Sequence, residues 1–148
     1  MARVITDIVG PHRPTSVTTF FNGDCPVCSA HVARYRRLAR GRDELLWRDL
    51  ADCPDALLCF GIDRETARRR LHVVDRNGRL QGGIDAFAAI WRELPGGRWL
   101  AVLVRLPGIH ALAAALYDRV LVPALWAWNR RRNRIRTGAG FRARHDAV

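Results

Sequence analysis

Two cysteines separated by two residues, Cys25-Pro26-Val27-Cys28, stand where a strand-like run gives way to a helical one. Thiols at this spacing can close a disulfide with each other, bind a metal, or fill a core. The flanks discriminate among these. Proline is favoured at the first position of a helix. Pro26 there makes Cys25 the N-cap and Cys28 the third helical residue. The Cys25 sulfur then faces the unpaired N–H groups of the first turn and the positive end of the helix dipole, which favour thiolate over thiol. Cys28 lies one turn on, placed to close a disulfide. The same turn holds an activated nucleophile and its resolving partner, the parts that dithiol exchange needs. Asp24 precedes the nucleophile. Its carboxylate opposes thiolate formation by charge, and it can serve as a proton acceptor in exchange. Cys25, Cys28 and Asp24 are therefore the candidate catalytic residues.

Two other readings compete. His31 extends the motif to C-x-x-C-x-x-H, half of a zinc site. Cys53 and Cys59 could supply the other half, but the five residues between them do not match the usual short ligand spacing. No metal and no cofactor are expected. Cys53 and Cys59 are read as packing residues, because free cysteine often sits buried. A non-enzymatic metal-binding or membrane-peripheral adaptor is the alternative to an exchange enzyme.

The elements that must position the motif can be read along the chain. Val17 to Phe21 are all β-branched or aromatic and are closed by Asn22-Gly23, which predicts a buried strand. Ser29 to Arg40 is helical in pattern, with Val32, Tyr35 and Leu38 on one side and Gly41 as a stop. Leu45 to Leu50 reads as a second strand, completing a parallel, right-handed βαβ unit. Ala56 to Phe60 predicts a short helix stopped by Gly61, and Asp63 caps a second piece over 64–70. Asn77-Gly78 between two strand-like runs predicts a hairpin. His72 in its first strand is expected on a half-solvated face, without a catalytic role. Asp85 is the expected N-cap of a helix whose buried stripe is Phe87, Ile90, Trp91 and Leu94. Pro95-Gly96-Gly97 ends it.

Beyond this, Trp99 to Trp128 is mostly apolar but interrupted by Arg105, Asp118 and Arg119, so no charge-free run reaches the ~18 residues of a membrane span. Two helices are expected, over 97–106 and 108–128, with Pro123 bending or ending the second. The expectation is that they cover the sheet. A second reading makes them an interfacial anchor, with Trp126 and Trp128 at headgroup level and the following arginines on anionic lipid. The arginine run belongs to no recognised nucleic-acid module, so no specific nucleic-acid partner is expected.

Composition sets the outer bounds. The 148 residues suffice for one domain with a real core, and 49% hydrophobic content excludes a disordered chain. Every one of the 25 basic residues is arginine, and the net charge of +11 points to anionic surroundings. The first residues hold no apolar run of signal-peptide length, so a cytoplasmic location is expected, with peripheral membrane contact as an addition. Thiols are kept reduced there, which favours a catalytic over a stapling role for the C-x-x-C. Residues 16–94 are expected to form the core domain and 95–136 a helical extension packed on it, with 1–15 and 137–148 as flexible tails.

The order β-α-β-α-β-β-α is that of a thioredoxin-like α/β fold, a mixed sheet flanked by helices, here with a C-terminal helical extension. The residues also match a family. Phe21-Asn22-Gly23-Asp24-Cys25-Pro26-Val27-Cys28 resembles the opening motif of the DCC family of thiol-disulfide oxidoreductases, Asp-Gly-x-Cys-x-x-Cys, with Asn22 where Asp is common. Val74 to Gly78, Gly83 to Phe87 and Tyr117 to Arg132 resemble family segments too. The resemblance implies a thioredoxin-like fold and dithiol exchange, with a disulfide-containing substrate and an electron donor as partners. Thioredoxins also carry a cis-proline opposite the dithiol. Here that region reads Arg69-Arg70-Leu71-His72, so the thioredoxin mode of substrate binding is not carried over.

Overall fold

The computed structural model describes residues 16–145, with side chains to residue 134. The expected tail 1–15 and the last three residues lie outside the described residues. The first elements are β1 (Val17–Phe21), α1 (Pro26–Leu38) and β2 (Leu45–Asp49). A 3-10 turn (Leu58–Phe60) and α2 (Arg64–Arg69) lead to the hairpin β3 (His72–Val74) and β4 (Leu80–Gly82). Then come α3 (Ile84–Glu93), α4 (Arg98–Leu103), α5 (Pro107–Leu116), a π-helical turn (Tyr117–Leu121) and α6 (Val122–His145).

The sheet order is β2-β1-β3-β4, with β1 parallel to β2 and the other pairs antiparallel. This is the expected thioredoxin-like arrangement, a mixed four-stranded sheet flanked by helices. Strand alternation sends Val17, Leu45 and Val73 to one face, where they pack with Ala86, Ala89 and Ile90 of α3 and with Tyr35 of α1. Phe20 and Val74 go to the other face, against Leu50, Leu57 and Ala67. Both faces of β1 are thus covered, and all five of its residues are buried.

Local signals largely fix the element ends. Asp63 caps α2 by accepting from the Glu65 and Thr66 N–H groups. The hairpin closes through Gly78 N–H on the Asp75 carbonyl and Asp75 N–H on the Arg79 carbonyl, a three-residue loop with Gly78 at φ +73° rather than a two-residue turn. The expected helix at Ala56–Phe60 shortens to the 3-10 turn, stopped by Gly61 in the left-handed region. Leu57 takes the inward position there and leaves Cys59 exposed, so Cys59 is not the packing residue expected. Cys53 does pack against the core and donates to the Asp49 carbonyl.

Three expectations are corrected by tertiary context. Asp85 is not the cap of α3. Gly83 holds that place at φ +62°, ψ −134°, while Asp85 sits in the first turn with His110 Nε2 3.1 Å from its carboxylate. Pro123 neither ends nor breaks the helix around it. The π turn rewires the hydrogen-bond ladder and ends two residues before Pro123, which cannot donate to it. Pro107–Arg134 is therefore one helix of 28 residues, long and apolar enough to cross a membrane by length and composition, with only Asp118 and Arg119 interrupting its apolar stretch. The helical backbone runs on to His145.

His72 is the third. It is 3% exposed, not half-solvated, and neither ring nitrogen has a hydrogen-bond partner of good geometry. The strand is central enough to be covered on both faces. Burial pushes the imidazole down to about 4, despite an opposing pull from the Thr66 carbonyl. The folded state therefore holds His72 neutral where the unfolded chain protonates near the ordinary 6.5. Stability that is present above that pH is lost as pH falls through this window, by up to about 3 kcal/mol. Denaturant unfolding of wild type between pH 7 and 4 is expected to lose stability more steeply than unfolding of His72→Leu. Parallel curves would refute this role for His72.

Candidate active site

The loop between β1 and α1 is held from three directions. Asn22 accepts from the Asp24 N–H at 3.1 Å and donates Nδ2 to the Arg68 carbonyl at 3.2 Å. Gly23 N–H donates to Asp49 Oδ1 at 2.9 Å, at the end of β2. A Cβ on Gly23 would lie 1.7 Å from the other oxygen of that carboxylate, so any larger residue there would displace the Asp49 side chain that holds the loop. Ser29 Oγ donates back to the Gly23 carbonyl at 2.9 Å.

This loop delivers Cys25 to the N-cap of α1, with Pro26 following in the first turn, as the sequence predicts. Cys28 N–H donates to Cys25 Sγ at 3.4 Å. Cys25 is 2% exposed and Cys28 half-buried, both as free thiols. The two differ sharply in acidity. Burial raises Cys25, but hydrogen bonds from the Cys28 thiol, the Asn129 side chain and the Cys28 and Val27 amides outweigh it and bring the thiol below its ordinary value. Cys28 is pushed up to about 12, by burial first and then by its hydrogen bond to, and the charge of, Cys25.

Asn129 was not found from sequence. It lies on α6, far along the chain, at the head of the arginine run. Its Oδ1 is buried without a partner. The cleft over the dithiol is lined by Tyr117 of the π turn and by Leu125 and Trp126 of α6, together with Val27 and Phe87. Arg69 stacks over Trp126, its guanidinium 4.9 Å from the ring centroid, and Arg70 pairs with Asp118 at 3.1 Å. Where thioredoxins have their proline, Leu71 N–H donates to Tyr117 Oη at 3.5 Å.

Asp24 is turned elsewhere. Its carboxylate is exposed and accepts from Arg68 Nη2 at 2.8 Å, and it is not among the groups that set the acidity of Cys25. His31 is exposed, edge-on to Tyr35. Among the described residues no three His, Cys, Asp or Glu side chains converge as a metal site.

Residues 19–134 match the model of the DCC1-like thiol-disulfide oxidoreductases. The chain belongs to this family. An uncharacterized chloroplastic protein of Arabidopsis thaliana is 23% identical over 122 residues, 78% of this chain. The chain spans only 56% of that relative's length. No solved structure matches. Family membership supports a general thiol-disulfide function, and the Cys25–Cys28 pair is present.

Removing the Asn129 donor leaves the Cys25 thiolate less compensated. Asn129→Ala is expected to raise the Cys25 pKa and slow alkylation of reduced protein at pH 7 by about tenfold, the worth of one hydrogen bond to a charged group. Thiolate absorbance against pH, with peptide mapping of the alkylated residue, measures both. An unchanged titration would remove Asn129 from the site.

Proposed function

We propose that this chain reduces or exchanges disulfides with Cys25 as nucleophile and Cys28 as resolving thiol. The observation that carries the reading is the split in acidity across one helical turn. Cys25 is the thiol held below its ordinary value and Cys28 the one pushed up to about 12, so Cys25 is the sulfur that ionises first.

In the first step the Cys25 thiolate attacks one sulfur of a substrate disulfide. A Cys25–substrate bond forms, the substrate S–S bond breaks, and the other substrate sulfur leaves as thiolate and takes up a proton. Cys28 is then released from two of its three restraints. Its burial remains, but the charge and hydrogen bond of Cys25 vanish once that sulfur is in the mixed disulfide. Cys28 loses its proton, attacks Cys25, and expels the second substrate thiolate. The substrate gains two electrons and the protein is left as the Cys25–Cys28 disulfide. A thiol or dithiol donor returns it to the reduced state, and in the reverse direction the same steps oxidise a dithiol.

The cleft walls favour a disulfide flanked by apolar groups, because Phe87, Tyr117 and Trp126 line the approach to Cys25. Asp24 enters as the partner of Arg68 that ties the motif loop to α2, and not as the proton acceptor. Exchange needs no bound cofactor.

Cys28→Ser is expected to accumulate a mixed disulfide with a model protein disulfide, while Cys25→Ser forms none. Mass spectrometry of the quenched reaction reads this directly. An adduct on Cys28 in the Cys25→Ser protein, with none in the converse variant, would reverse the roles.

A further inference from the structure

Helices on a soluble domain turn large apolar side chains inward and polar ones outward. α4 and α5 do the reverse. Towards α3 they present Ala101, Val104 and Ala113, packed against Ala88. On the outside stand Leu112 (71% exposed), Val102 (67%), Trp99 (63%) and Leu116 (59%). Of the most apolar stretch of the Pro107–Arg134 helix, only 6% is buried. A core helix would show the opposite, and monomeric soluble proteins rarely leave so much apolar surface uncovered.

Charge completes the pattern. From Arg98 to Arg134 the sole acidic residue is Asp118, and Arg70 holds it. Arg98, Arg105, Arg119, Arg130 and Arg131 are exposed around the apolar face. Trp128 stands where the apolar stretch meets the arginine run, with Arg132 5.9 Å from its ring centroid.

We propose that this face docks on an anionic lipid bilayer. The Pro107–Arg134 helix lies in the plane of the surface, with Leu112 and Leu116 at the acyl boundary and Trp128 and the arginines at headgroup level. The helix lies on the bilayer and does not cross it, because its inner flank is tied to the domain along its length. Asp85 meets His110, Leu71 meets Tyr117, Arg70 meets Asp118, and Asn129 lines the same cleft as Cys25. A second copy of the chain would bring the same arginines against one another, a like-charge contact that costs affinity. Anionic lipid supplies both the apolar cover and the countercharge.

The test uses the full chain and sedimentation with phosphatidylcholine vesicles, with and without phosphatidylglycerol. Binding is expected to need the anionic lipid and to weaken as salt rises. Leu112→Glu/Leu116→Glu is expected to weaken it at least tenfold, and Arg130→Gln/Arg131→Gln by roughly fivefold per arginine at low salt. All four side chains are exposed, and an unchanged unfolding transition checks that each variant is folded. Wild type remaining in the supernatant with anionic vesicles would overturn the proposal. So would undiminished binding by the leucine variant. A wild-type dimer that ignores vesicles and is dissociated by the leucine variant would assign the face to self-association instead.

Discussion

A cysteine buried at the end of a central strand, at the N-cap of α1, is the constraint around which this molecule is arranged. An ionised group out of water is costly unless donors reach it, and Cys25 is almost wholly buried. Its compensation comes from the first turn of α1, from the neighbouring thiol and from Asn129 on the last helix. Each of these requires a fixed backbone. The Asn22-Gly23 loop is therefore tied to Asp49 and to the end of α2, and β1 beneath it is buried on both faces. The sheet is the platform that keeps the sulfur and its donors in register.

The C-terminal helix joins two environments. Its inner flank completes the site, supplying the Asn129 donor and the aromatic wall of the cleft. Its outer flank carries large apolar side chains with arginines around them. The π turn and Pro123 fall in this element, between the Tyr117 and Asn129 contacts. A rewired ladder there keeps a single rod continuous, so that both contacts are met by one helix.

The parts of the site that depend on neighbours in sequence were legible. Cys25 as N-cap, Pro26 in the first turn, and Cys28 one turn on follow from local rules of helix starts. So did β1, whose uninterrupted β-branched and aromatic residues signal a strand covered on both faces, and the Asp63 cap. The misreadings share a cause. Asp85 is a good capping residue, but Gly83 alone could take the backbone angles between β4 and α3. His72 alternates correctly along its strand, yet that strand has no wet face. Cys59 looked like a core thiol until the 3-10 turn gave Leu57 the inward place. The extension's apolar content was evident, but Ala101 and Ala113 face the domain while Leu112 and Leu116 face out.

What the sequence determined by itself is the chemistry and its local frame: a C-x-x-C at a strand-to-helix junction, in a β-α-β-α-β-β-α order, within a strongly basic chain. These rest on interactions between residues a few positions apart, which spacing and residue type encode directly. What only the tertiary structure decided is which distant groups act on that chemistry. Asn129 reaches Cys25 from more than a hundred residues away, Asp24 is taken up by Arg68, and the extension's large side chains are left facing outward. The physical reason is that a side chain's partner across the fold is set by the packing of whole elements, which no window along the chain contains.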